Sequence, residues 1–218
     1  MTTRLPRSLE RLVCTSWLIY ATKGETEDAR RIKALILAIK KDRIDPVTGQ
    51  PMVRLVVERA CERLGSNARD PFDGHPLLVP VPGSALQKPH TVFPALRVCE
   101  ELLKNGLGED IAPVLARSTA VRKSAGSSER PSLKEHLKSF TLQKPFVLPA
   151  RLVVVDDVVT SGTTMMACAL KLADAFPGVP ISGFALARVQ SEGDPATVFS
   201  PLVEIIVPSG RRCSRGVR

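Results

Sequence analysis

The chain has 218 residues, 44% of them hydrophobic, and a formal net charge of +9, enough apolar content to bury a full core as one domain with an appendage. No apolar run approaches the ~20 residues of a membrane-crossing helix, and the start, MTTRLPRSLERLV, lacks the apolar stretch and cleavage site of a signal peptide, so the expected compartment is the cytoplasm. Cys14, Cys61, Cys99, Cys168 and Cys213 are scattered without a CxxC pair, which argues against a disulfide framework or a zinc site and for reduced thiols.

Ser16 to Ala21 (SWLIYA) predicts a strand, and Thr26 is placed to cap a helix from about Glu27 to Lys41. Ile32, Leu35, Ile36 and Ile39 share one helical face, and Lys40 and Lys41 suit the negative C-terminal end. A second helix is predicted from Met52 to Leu64 on the stripe Val53, Val56, Val57, Ala60 and Leu64, with Gly65 as its C-terminal cap. The polar segment Ser66 to Gly74 reads as the boundary between an N-terminal portion and the main sheet. Strands are then predicted at Leu77 to Val81, Ala112 to Ala116, Leu152 to Val155, Ser182 to Ala187 and Val203 to Val207, with helices from Val92 to Lys104 and from Met165 to Ala175. Alternation of this kind predicts an α/β fold: a doubly wound, mostly parallel twisted sheet with an N-terminal helical appendage. The expected organisation is an N-terminal strand and helix portion over 1–75, an α/β core over 76–208 and a basic, solvated tail over 209–218, where RRCSRGVR holds four arginines.

Residues 152–164 read LVVVDDVVTSGTT. A short valine-rich run ending in turn residues is the pattern of a parallel strand buried on both faces. In an open α/β sheet the C-terminal end of such a strand faces the ligand crevice. Thr160, Ser161, Gly162, Thr163 and Thr164 lead from there into a helix, so backbone N–H groups, hydroxyls and the positive end of the helix dipole converge where a phosphate would fit. Beside them, Asp156 and Asp157 can accept hydrogen bonds from vicinal hydroxyls. A phosphate grip next to a diol grip suits a ribose 5-phosphate group.

Two further loops belong to this reading. LLVPVPGSALQKP follows a strand, and its Gly83, Ser84 and Lys88 are candidates for an anion nest at the same sheet edge. The long basic stretch RSTAVRKSAGSSERPSLKEHLKSF, from Arg117 to Phe140, is a candidate cover for the site. Ser132 and Glu135 within it have capping-box spacing for a short helix near Leu133. His75, His90 and His136 show no metal-ligand spacing and read as surface histidines, and Trp17 and Phe140 read as packing residues.

The thirteen-residue segment resembles the 5-phosphoribosyl 1-diphosphate signature of type I phosphoribosyltransferases. Together with the VPVP strand end, the basic segment and the run from Tyr20 to Lys40, it resembles the competence protein F (ComF) branch of that family. The resemblance is strong over the signature and loose elsewhere. It implies a type I phosphoribosyltransferase-like sheet, with Thr160 to Thr164 on the 5-phosphate, Asp156 and Asp157 on the ribose, and Gly83, Ser84 and Lys88 on diphosphate. Arg122, Lys123 and Arg130 would be closing-loop cations, and Mg²⁺ would be held through diphosphate and ribose hydroxyls rather than by dedicated protein ligands. Two departures stand out: the cysteine-rich zinc segment common in the competence branch is missing, and a threonine, Thr160, occupies the position of an acid in purine-salvage relatives.

The implied function is transfer of phosphoribosyl from 5-phosphoribosyl 1-diphosphate to an acceptor that the sequence does not identify, with a nucleoside monophosphate as the other implied ligand. The alternative is a non-catalytic ligand sensor or DNA/RNA-associated protein that keeps the sugar-phosphate site. The two differ in where the basic charge lies: lining the crevice in the first, forming a separate stripe in the second. No membrane partner is expected, and a homodimer stays open.

Overall fold

The computed structural model describes residues 9–23, 25–86, 92–121, 130–143, 149–190, 195 and 197–217, without the side chains of 66–68. Its main sheet has seven strands: β1 (Leu12–Ala21), β2 (Leu77–Pro80), β3 (Asp110–Ile111), β6 (Leu152–Val159), β7 (Ile181–Gln190), β8 (Phe199–Ser209) and β9 (Arg212–Val217). They lie in the order β3-β2-β6-β7-β1-β8-β9. The first five in that order run parallel, and β8 and β9 add an antiparallel edge. A separate antiparallel pair joins β4 (Leu115–Arg117) to β5 (Phe140–Leu142).

Helices cover both faces. α1 (Glu27–Lys40), α2 (Met52–Arg63) and α3 (Pro94–Lys104) pack on the face carrying Trp17, Val153, Val155 and Phe184, whereas α5 (Thr163–Ala175) packs on the face carrying Leu152, Val154 and Ala185. α4 (Leu133–Ser139) lies against α5. The local signals act as expected. The Thr26 hydroxyl caps α1 by accepting from Ala29 N at 3.2 Å, and Ser132 and Glu135 close a reciprocal capping box on α4. No helix among the described residues is long and apolar enough to cross a membrane.

The connections fix where a ligand crevice opens. From β2 the chain passes through α3 to β3 on one side, while β6, α5 and β7 continue on the other. The order therefore reverses between β2 and β6, and the loops after these strands diverge at their C-terminal ends. An open α/β sheet binds ligands at such a switch point.

Several expectations are corrected. The strand predicted at Ala112 to Ala116 is split into β3 and β4, because Pro113 has no N–H for a ladder and the chain leaves the sheet there. Gly65 has a φ of −65° and is no left-handed cap, and the polar segment after it is a 3-10 helix, Ser66–Phe72, rather than a linker. Phe72 is buried there with its ring 5.9 Å from Trp17 and 4.9 Å from Phe184, which ties the segment to the core. β1, from the N-terminal portion, is an interior strand between β7 and β8. The C-terminal residues 212–217 are not a solvated tail: Ser209 pairs with Arg212 across a turn at Gly210, whose φ is +57°, and β9 zips along β8.

Candidate functional site

At the C-terminal edge of the parallel strands, the switch point opens into a cleft of about 930 Å³, within the size range of small-molecule sites. Gly83, Ser84, Arg130, Asp156, Asp157 and the whole turn from Thr160 to Thr164 line it. Of the other residues read from the sequence as site candidates, Lys88, Arg122 and Lys123 fall outside the described residues.

The turn is built around Gly162. Its φ of +80° is left-handed, and a Cβ there would stand 2.6 Å from Ile206 Cδ1, so only glycine fits both the backbone and the packing. Gly162 caps α5, and its carbonyl accepts from Met166 N at 2.8 Å. The first amides of α5 are thereby left pointing out of the helix, toward the cleft end. Ser161 and Thr163 hydroxyls lie 2.9 Å apart, and Thr163 Oγ1 also accepts from Cys213 N at 3.1 Å, which fastens β9 to the turn.

β6 extends through both acids, so Asp156 and Asp157 are strand residues rather than parts of a turn, and both line the cleft. Asp156 Oδ1 accepts from Asp157 N at 2.9 Å. Burial, then the neighbouring Asp157 carboxylate, pushes the Asp156 carboxyl well above the usual carboxylate range, against an opposing pull from Lys40. Asp157 Oδ2 lies 4.0 Å from Lys40 Nζ, which also sits 5.7 Å from the Tyr20 ring centroid. Tyr20 and Lys40 join the lining from β1 and α1.

On the other wall, Arg117 is 6% exposed and is matched by no carboxylate among the described ion pairs. Its Nε donates to Gly83 O at 3.0 Å, one Nη donates to Ser139 Oγ, and the other lies 3.1 Å from His136 Nδ1. The guanidinium is centred 3.9 Å from the Phe140 ring centroid. Burial pushes its pKa down to about 10. His136 is 3% exposed rather than on the surface, and its Nε2 lies 3.4 Å from Thr164 Oγ1. Burial and then the Arg117 charge push His136 down to about 4. A burial face was readable in α4, because Leu133, His136 and Ser139 recur every three residues. Nothing local tells that Arg117 meets that face.

β9 brings Arg212, Ser214 and Arg215 into the lining. Arg215 Nη1 lies 3.1 Å from Glu204 Oε2 without hydrogen-bond alignment, while its Nη2 donates to Val189 O at 2.7 Å. Arg212 is exposed and enters no ion pair among the described residues. Six Lys or Arg side chains (Lys23, Lys40, Arg117, Arg130, Arg212, Arg215) thus line the cleft against two carboxylates, a balance that favours an anionic occupant. No group of three or more His, Cys, Asp or Glu suited to a metal occurs among the described residues. The oxygen donors of Asp156 and Asp157 suit Mg²⁺ held chiefly by ligand oxygens and water, its usual mode at phosphate sites.

No family model and no curated protein matches the chain. Among solved structures, it is similar to a hypoxanthine phosphoribosyltransferase from Staphylococcus aureus in a tetragonal crystal form, with 11% identity and a TM-score of 0.36 over 67% of this chain and 71% of that one. An orthorhombic form of the same enzyme aligns with 11% identity and a TM-score of 0.31 over 66% and 72%.

Proposed function

We propose that the cleft binds 5-phosphoribosyl 1-diphosphate with Mg²⁺ and transfers the phosphoribosyl group to an acceptor, releasing diphosphate. The observation that carries this reading is the convergence, at one switch point, of the glycine-capped start of α5, the Asp156–Asp157 pair and the Gly83–Ser84 loop. In this reading the Thr160–Thr164 turn holds the 5-phosphate through amides and hydroxyls. Asp156 and Asp157 hold the ribose hydroxyls, and Gly83 and Ser84 receive the diphosphate. The buried, carboxylate-free Arg117 and the cations of β9 offset the ligand's charge. Arg130 is the described member of the proposed closing-loop cations, with Arg122 and Lys123.

The reaction breaks the bond from the anomeric carbon to diphosphate oxygen, the electron pair leaving with diphosphate. The acceptor's lone pair forms the new bond, and its proton passes to solvent. Asp156 and Asp157 orient the ring, and the Asp157 carboxylate offsets the positive charge that develops on it. Mg²⁺, near those acids and the ligand oxygens, would neutralise charge on the leaving group.

Calorimetric titration with 5-phosphoribosyl 1-diphosphate and Mg²⁺ tests the reading. Saturable binding that is lost in Asp157→Asn, with the fold intact by circular dichroism, supports it; no binding by the native chain overturns it. Binding without diphosphate release across a panel of nucleobases and amines would instead favour the ligand-sensing alternative. The basic lining of the cleft supports a small anion over a nucleic-acid duplex as the ligand.

A further inference from the structure

We infer that His136 is a positioning residue which, held by Arg117, turns the Thr164 hydroxyl into a dedicated hydrogen-bond donor for a phosphate. The inference rests on the phosphate reading of the Thr160–Thr164 turn. It starts from the one-sidedness of the guanidinium. Arginine carries only N–H donors, so the 3.1 Å contact between Arg117 Nη2 and His136 Nδ1 requires the lone pair on Nδ1. The neutral ring then bears its proton on Nε2, which lies 3.4 Å from Thr164 Oγ1. Thr164 Oγ1 accepts that proton, and its own O–H is left to donate. No other hydrogen bond engages this hydroxyl among the described residues, and Thr164 lines the cleft.

The opposite tautomer would set an Nδ1–H against an Arg117 N–H and make Nε2 an acceptor that consumes the Thr164 proton. Arg117 forbids it. The relay is held rigidly: His136 is 3% exposed, its ring lies near-parallel to Phe140 at 6.3 Å, and the capping box fixes the start of its helix. The same guanidinium reaches the Gly83 carbonyl at 3.0 Å, so one buried cation organises both anion loops. A hydroxyl obliged to donate favours a charged, acceptor-only group such as a phosphate monoester over a sugar hydroxyl, whose uncharged oxygen accepts more weakly. The relay thus selects a 5-phosphorylated ribosyl ligand over its unphosphorylated counterpart.

Two measurements test this. In the free protein, the nitrogen-15 shifts of the His136 ring should report an Nε2–H tautomer at neutral pH, and an Nδ1–H tautomer overturns the inference whatever the ligand. Calorimetry then uses ribose 5-phosphate and ribose as probes. His136→Leu and Thr164→Val should each weaken ribose 5-phosphate binding about tenfold, and the double variant should be no weaker than Thr164→Val alone, since both remove one relay. His136→Gln, whose amide can accept from Arg117 and donate to Thr164, should bind within about threefold of the native chain. A merely structural histidine would give additive losses and no rescue by glutamine, and either result sinks the inference while leaving the phosphate reading standing. Failure of the native chain to bind ribose 5-phosphate overturns that reading and the inference with it.

Discussion

Burial and the adjacent Asp157 carboxylate raise the Asp156 carboxyl well above its ordinary range, so across the interval between the two values the folded chain holds a proton that the unfolded chain has lost. Stability therefore falls as pH rises through that interval. Asp156→Asn, which keeps the shape without the charge, should melt a few degrees higher than the native chain at pH 7, with the advantage fading in acid; equal melting temperatures at neutral pH would remove the argument. The same variant should bind 5-phosphoribosyl 1-diphosphate more weakly, because the ribose loses an acceptor. His136 has the opposite sign. Its folded value of about 4 lies below the ordinary 6.5, so the unfolded chain takes up the proton first as pH falls. The stability it carries is full above pH 6.5 and is lost progressively toward pH 4, amounting to a few kcal/mol. Urea unfolding of His136→Gln should show a flatter pH dependence across that window. The acids and the hydroxyl turn were legible in the sequence, since adjacent residues carry their meaning. His136 was misread, because the partner that holds its ring, Arg117, lies 19 positions away along the chain.

The start of α5 and the strand β9 form one structural joint. Gly162 contributes a left-handed backbone and a surface bare enough for Ile206, and Thr163 fastens Cys213. Gly162→Ala combines backbone strain with a clash, and should cost roughly 2–4 kcal/mol in chemical denaturation. A loss below the few tenths typical of an exposed substitution would mean that the turn is not constrained in this way. β9 also carries Arg212 to the cleft. Because Arg212 is exposed and without an ion-pair partner among the described residues, Arg212→Ala should leave the melting temperature unchanged while weakening ribose 5-phosphate binding roughly three- to tenfold. The strand itself was not readable: RCSRGV has no continuous apolar face, and what makes it a strand is the exposed edge of β8 and the hydroxyl of Thr163.

At the scale of the molecule, the chain carries a net charge of +9, and six basic residues line the cleft against two acids. Binding of an anionic ligand should therefore weaken as salt screens this field. A titration series from low to high ionic strength checks it, and salt-independent affinity would show that short-range contacts alone hold the ligand. Local chemistry determined much of this protein in advance. The valine run, the paired acids, the glycine in the hydroxyl turn and the helix periodicities are all contained within a dozen neighbouring residues, so strand β6, helix α5 and the alternation that yields a parallel sheet could be read directly. Tertiary structure alone decided the rest. Strand order brought β1 into the middle of the sheet and set the loops after β2 and β6 side by side, Arg117 met His136 across 19 positions of chain, and β9 delivered Arg212 and Arg215 to a turn about 50 residues upstream. Contacts of that kind depend on packing surfaces that exist only once the sheet has formed, and no periodicity or motif in the chain encodes them locally.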